Sequence, residues 1–246
     1  MIARGRDGVT AVIWDFDGTL ADTLERNLAI TRRIVERLLG GSARRFAALH
    51  DRDSYGLAVH RAASWRELYA QEFDFPLARA GEAAPLWSEF HREETVVPPL
   101  FDGVEEVIRE LGGRPQGIVS QNGRRNIEEA LSPAGLLAHF QAIVADEDLP
   151  FDRQKPEPDG LLRCAETLHP DGGSAGTVLY VGDHPVDVEC VRRAGERLRA
   201  RGAGWRLLSV GVEYGLAGER RWATPPDRLA RRPADVLEIV RELERG

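Results

Sequence analysis

Two carboxylates stand one residue apart, at Asp15 and Asp17, directly after the apolar run Ala11-Val12-Ile13-Trp14. An uninterrupted apolar run with two β-branched residues suits a strand covered on both faces. Acids at its end lie where open α/β sheets bind their ligands. Carboxylates so placed can serve as nucleophile, as proton carrier or as oxygen ligands for a hard cation. Gly18 follows where the chain must leave the sheet, and the Thr19 hydroxyl is expected to tie the turn to a neighbouring backbone group.

Three later stretches carry groups of matching chemistry. Ile118-Val119-Ser120-Gln121-Asn122 puts a hydroxyl at a strand end, where it and the next backbone N–H, that of Gln121, could both reach an anionic oxygen. Asn122 is expected to cap the following helix. Val181-Gly182-Asp183-His184-Pro185-Val186-Asp187 again ends a buried strand in acid and adds a carboxylate at the start of the next helix, where the macrodipole also favours one. Lys155-Pro156-Glu157-Pro158 contains the only Lys among 33 Lys and Arg residues. A compact ammonium suits a crowded site beside a phosphate and a carboxylate, where a planar guanidinium would need more room.

The elements that must position these residues follow from periodicity. Leu24, Leu28, Val35 and Leu38 predict an amphipathic helix after a cap at Asp22, stopped at Gly40-Gly41. Further helices are predicted over Ser42 to Leu49, Tyr55 to Ala63, Ser64 to Phe73 and Glu82 to Thr95, leaving His50 to Tyr55 as a polar loop. From Asp102 helices alternate with strands at 117–119, 142–144, 177–181 and 207–212, the pattern of βα units in a parallel sheet. Residues 213–232 read as irregular, and Pro233 opens a last helix. The expected architecture is α/β, a doubly wound parallel sheet formed by residues 1–20 and 98–246, with residues 21–97 as an inserted, wholly helical small domain.

Composition narrows the function classes. A formal charge of -7 argues against a general affinity for nucleic acid, and the basic run from Arg192 to Arg206 reads as the solvated face of a helix. Cys164 and Cys190 read as packed thiols, in keeping with a reducing, cytoplasmic setting. No signal-like leader or membrane-length apolar run is found, so neither export nor a membrane partner is expected. The first strand opens into Asp-Phe-Asp-Gly-Thr rather than Gly-x-Gly-x-x-Gly, which argues against dinucleotide binding.

Asp15-Phe16-Asp17-Gly18-Thr19-Leu20, followed in order by Ser120, Lys155 and Asp183, resembles the four motifs of the haloacid dehalogenase superfamily, in particular its members similar to phosphoglycolate phosphatase and β-phosphoglucomutase. The resemblance implies a Rossmann-like core, a helical cap over the active site, and an Mg²⁺-dependent phosphatase acting on a small-molecule phosphate ester through an aspartyl-phosphate. Asp15 would be the nucleophile and Asp17 the acid and base. Asp15, Asp17 (through its carbonyl), Asp183 and Asp187 would surround the metal, Asp187 alternatively orienting Lys155. Gly18, Ser120, Gln121 and Lys155 would hold the phosphate. The Asp at position 17 makes carbon–halogen hydrolysis an unsuitable reading. A phosphomutase and a non-catalytic phosphate-binding module remain as alternatives. Substrate choice would fall to the cap, with Arg52 the candidate, and the expected state is a monomer or homodimer.

Overall fold

The computed structural model describes residues 8–62, 64–94, 96–169, 176–215, 222 and 224–245. Among these, six strands make one sheet: β1 Val9–Trp14, β2 Gln116–Val119, β3 Phe140–Val144, β4 Gly176–Gly182, β5 Trp205–Val212 and β6 Arg228–Ala230. Their order is β3-β2-β1-β4-β5-β6, and every neighbouring pair is parallel. The strand order reverses between β1 and β4, and the chain leaves both strands at the same edge. A crevice at such a reversal is where open α/β sheets bind ligands.

Alternation along β1 divides the core between two faces. Val12 and Trp14 pack with α5 Val104–Glu110, α6 Arg124–Leu131 and α9 Asp235–Arg245 through Val107, Ile108, Ile127, Leu131, Val236 and Val240. Ala11 and Ile13 face α7 Asp159–Leu168 and α8 Pro185–Ala200, meeting Leu161, Ala165, Val191 and Ala194. Cys164 and Cys190 are buried thiols, the latter donating to the Glu157 carbonyl at 3.4 Å. Burial pushes both up to about 12.

Asp22–Pro99 forms a second compact unit. Among its described residues it holds α1 Leu24–Leu39, α2 Arg52–Arg61, α3 Trp65–Glu72 and α4 Ala83–Glu93, with no strand. Its core includes Leu28, Ile34, Tyr55, Phe73, Phe75 and Phe90, and the Tyr69 and Phe73 rings meet edge to face at 5.2 Å. Among the described residues no helix is long and apolar enough to cross a membrane.

Several local expectations are corrected. Residues 42–49 form two short 3₁₀ turns rather than a helix, because Phe46 between them is extended (φ -97°, ψ 125°). Asp51 accepts from Ser54 N at 2.8 Å and so starts α2 at Arg52, making most of the expected polar loop the first turn of a helix. Asp22 does not cap α1; that position is Thr23, whose side chain accepts from Asn27 Nδ2 rather than from the helix backbone, and Asp22 instead pairs with Arg52. The segment expected to be irregular contributes β6, which joins β5 in the register Val210↔Arg228. Residues 216–221 and 223 of that segment lie outside the described residues, as do Ala63 and Thr95, the expected ends of two helices.

Gln116 couples the two strands that carry the first two motifs. Wholly buried, its side-chain oxygen accepts from Trp14 Nε1 at 3.0 Å while its Nε2 donates to the Ile108 carbonyl at 2.9 Å. Gln116→Leu removes the partner of both groups and is expected to lower stability by about 1–3 kcal/mol for each group left unsatisfied. Urea denaturation of the variant checks this.

Candidate active site

The carboxyl ends of β1, β2 and β4 bring three of the four motifs to one edge of the sheet. Asp15 is buried at the tip of β1, its backbone N–H bonded to the Val181 carbonyl at 2.8 Å. The chain then turns tightly, with Leu20 N and Ala21 N both donating to the Phe16 carbonyl at 3.0 Å. Gly18 has φ +74°, and a Cβ on it would lie 2.7 Å from Asp183 Cγ. A glycine is therefore required for conformation and for space. Gly182 leaves room in the same way for Asp187, whose Cγ would lie 2.6 Å from an added Cβ.

Two expectations about this turn are corrected. The Gly18 N–H donates to the Ala21 carbonyl at 2.9 Å, so it is committed to the turn rather than to an anion. The Thr19 hydroxyl, wholly buried, has no hydrogen-bond partner among the described residues. Its carbonyl ties the turn instead, accepting from Tyr214 Oη at 2.8 Å.

Lys155 reaches this edge from the loop before α7. Its Nζ donates to Asp15 Oδ1 at 2.6 Å and to Asp187 Oδ1 at 2.8 Å, and its side chain is 6% exposed. The Tyr180 ring lies beneath the ammonium, 5.8 Å from centroid to Nζ, and the Tyr180 hydroxyl reaches both Asp187 Oδ1 at 3.2 Å and the Val119 carbonyl at 3.0 Å. Asp187 is further held by His184 N, which donates to Oδ2 at 3.0 Å. Asp187 thus serves the helix start and Lys155 together. The lysine loop is fastened to α8 by ion pairs from Arg193 to Glu157 and from Arg197 to Asp159, the latter at 3.1 Å.

Charge is unevenly matched here. Asp183 and Asp187 have carboxylate oxygens that, with one of Asp15, lie within 4.8 Å of one another. Burial pushes the Asp15 carboxyl well above the usual range; Lys155 opposes the rise, while Asp187, Asp183 and Asp17 add to it. Burial alone would push Lys155 down, but the Asp15 and Asp187 carboxylates prevail and hold its ammonium well above the usual lysine range. Lys155 is paired with two carboxylates, while Asp183 and Asp17 add further negative charge beside Asp15. An all-oxygen donor set with excess negative charge fits a hard divalent cation, which would relieve the crowding that raises Asp15.

Asp17 and the β2 tip meet through a residue whose part was not foreseen. Asn122 is not the cap of α6: Gly123 occupies that position. Asn122 Nδ2 donates to Asp17 Oδ1 and Oδ2 at 3.0 and 3.1 Å, and its Oδ1 accepts from Asn126 at 2.7 Å. Asp17 and Asn122 are 105 residues apart, so no local pattern marks the pair. Tyr180 was missed for a similar reason, being one apolar-looking member of a buried strand. Ser120 Oγ accepts from Asn122 N at 3.0 Å, and the Gln121 side-chain Nε2 donates to the Lys155 carbonyl at 3.3 Å. Arg52 belongs to the helical unit, where its guanidinium pairs with Asp22 Oδ2 at 2.8 Å.

Residues 12–200 match the family model described as haloacid dehalogenase-like hydrolase. A phosphoglycolate phosphatase of Synechococcus elongatus is 28% identical over 245 residues, covering 96% of this chain and 99% of its own length. An N-acetylmuramic acid 6-phosphate phosphatase of Pseudomonas putida is 29% identical over 195 residues, 77% of this chain and 81% of its own. A solved structure from Bacteroides fragilis, described as a haloacid dehalogenase-like hydrolase, superposes with a TM-score of 0.72 over 93% of this chain and 99% of its own; at 22% identity that likeness is one of fold.

The buried ammonium generates a prediction about stability. Lys155→Met leaves Asp15 and Asp187 without their shared counter-charge, and removing one partner of a buried ion pair typically costs about 3–5 kcal/mol. Urea denaturation in the presence of a chelator is expected to show a loss of that size.

Proposed function

The chain belongs to the haloacid dehalogenase-like hydrolases, and from that premise we propose that it hydrolyses a small phosphate monoester, with Asp15 as nucleophile, Asp17 as acid and base, and Mg²⁺ as cofactor. The observation that carries this reading is the Lys155 ammonium held between Asp15 and Asp187, with Asp183 beside them. Monoester hydrolysis is among the slowest uncatalysed reactions, with accelerations reaching about 10²¹, because an anionic nucleophile must approach an anionic phosphate. A site for it has to cancel charge before it can do chemistry.

Asp15, Asp183 and the main-chain carbonyl of Asp17 would hold the metal, with Asp187 nearby. When bound, Mg²⁺ supplies positive charge that offsets both the phosphate and the attacking carboxylate. Lys155 does the same from its own side and keeps Asp15 oriented. The Ser120 hydroxyl, which accepts from the Asn122 N–H, retains its proton to donate to a phosphoryl oxygen, and the Gln121 N–H is assigned to the same group.

An Asp15 carboxylate oxygen attacks phosphorus in line, forming an O–P bond while the bond to the leaving oxygen breaks. The electron pair of that bond stays with the leaving oxygen, which takes the proton of Asp17 and departs as the alcohol. Asp17, now a carboxylate, accepts a proton from the water whose oxygen attacks the aspartyl-phosphate. The Asp15–phosphorus bond breaks, inorganic phosphate leaves, and both aspartates return to their starting states.

The substrate class is drawn from chemistry shared by the two relatives described above, whereas other relatives are pyrophosphatases. Phosphoglycolate and N-acetylmuramic acid 6-phosphate are each a phosphate ester that also bears a carboxylic acid. We assign Arg52, whose guanidinium can pair with a carboxylate, to substrate preference. The helical unit is read as the cap that carries this choice.

Three outcomes are expected in a colorimetric phosphate assay. Asp15→Asn, nearly isosteric but unable to attack, abolishes turnover with the fold retained by circular dichroism, and chelation abolishes wild-type turnover until Mg²⁺ is restored. Residual activity of Asp15→Asn within tenfold of wild type would remove the assignment. Arg52→Ala lowers kcat/KM for phosphorylated acids by about tenfold or more, as expected for loss of a charge-assisted contact, while sparing p-nitrophenyl phosphate. Equal losses on both substrates would remove Arg52 from substrate choice.

A further inference from the structure

Asn122 is held at each of its polar atoms. Its backbone N–H donates to Ser120 Oγ at 3.0 Å, and its carbonyl accepts from Asp146 N at 3.0 Å. Its side-chain oxygen accepts from Asn126 Nδ2 at 2.7 Å, and its side-chain nitrogen donates to both oxygens of Asp17. The residue is 6% exposed. The bond from Asn126 has a directional consequence, since it fixes the carbonyl end of the Asn122 amide toward α6 and so commits the NH₂ end to Asp17. A free amide could present either end, and the wrong one would set an acceptor against a carboxylate.

We propose that Asn122 is a positioning residue for Asp17, with Asn126 fixing which end of its amide faces the carboxyl group. The inference rests on the reading of Asp17 as acid and base given above. An acid must meet the leaving oxygen at hydrogen-bond distance to protonate it as the phosphorus–oxygen bond breaks, and small displacements are costly. Asp17 lies on the tight turn after β1, and the two bonds from Asn122 Nδ2 restrain its carboxyl group at both oxygens. They connect that group to the end of β2, the same short segment that carries Ser120. The phosphate-holding hydroxyl and the proton carrier are thereby held in one frame.

The dependence of rate on the leaving group separates this role from a structural one. Phenyl phosphate and p-nitrophenyl phosphate differ only by a nitro group, but phenolate needs protonation far more than nitrophenolate does. We expect Asn122→Ala to lower kcat/KM for phenyl phosphate by about tenfold or more beyond its effect on p-nitrophenyl phosphate, a share of the 10²- to 10⁴-fold that general acid catalysis supplies. Asn126→Ala, at a partly exposed helix position, should change the same ratio in the same direction by a smaller factor with the melting temperature unchanged, and it carries the test if the first variant does not fold. Equal losses on the two esters, or an unchanged ratio in a folded variant, would overturn the inference. Wild-type protein that hydrolyses neither ester would instead overturn the phosphatase reading on which it rests.

Discussion

A buried ammonium set between two carboxylates is the interaction on which the rest of this site depends. Lys155 is desolvated, and desolvation by itself favours a neutral amine; the Asp15 and Asp187 carboxylates reverse that preference. The dependence is mutual, because the same ammonium is what opposes the upward push of burial on Asp15. Each group shifts the other: the carboxylates favour the ammonium, and the ammonium limits the rise that burial imposes on Asp15. The surrounding structure reads as a set of means for keeping them at fixed separation: the Tyr180 hydroxyl and the His184 N–H hold Asp187, while Arg193 and Arg197 clamp the loop that delivers the lysine. Surface ion pairs such as these contribute little to stability singly, so their value here lies in position.

The sheet explains why such distant residues meet. Each strand of a parallel sheet ends at the same edge, and the order places β1 between β2 and β4, so residues 15, 120 and 183 converge with no need of a long loop. Only Lys155 must travel, and its loop is fastened to α8 through Glu157 and Asp159. The glycines at 18 and 182 belong to the same logic. Carboxylates packed this closely need strand ends without side chains beside them.

What could be read in the sequence follows the range of the interactions involved. Strands ending in acid, a helical stretch of amphipathic period and a solitary lysine are local signals, and the residues so marked at 15, 155, 183 and 187 do lie together. Contacts between distant residues left no such trace. Asn122 was expected to cap a helix because Asn often does, yet its amide is drawn to Asp17. Asp22 was expected to cap a helix for a similar reason and is drawn to Arg52. β6 is three residues, Arg-Leu-Ala, too short for a period to register, and it exists because β5 offers an open edge.

The solitude of Lys155 has a consequence outside catalysis. Acylation, ubiquitin conjugation and most amine-directed crosslinking address the ε-amino group of lysine, and in this chain the only such group is buried and doubly ion-paired. A folded molecule offers these reactions no accessible side-chain amine. Its surface cations are guanidinium groups, which such chemistry does not touch, so control of its lifetime or attachment through lysine would have to wait for the protein to open.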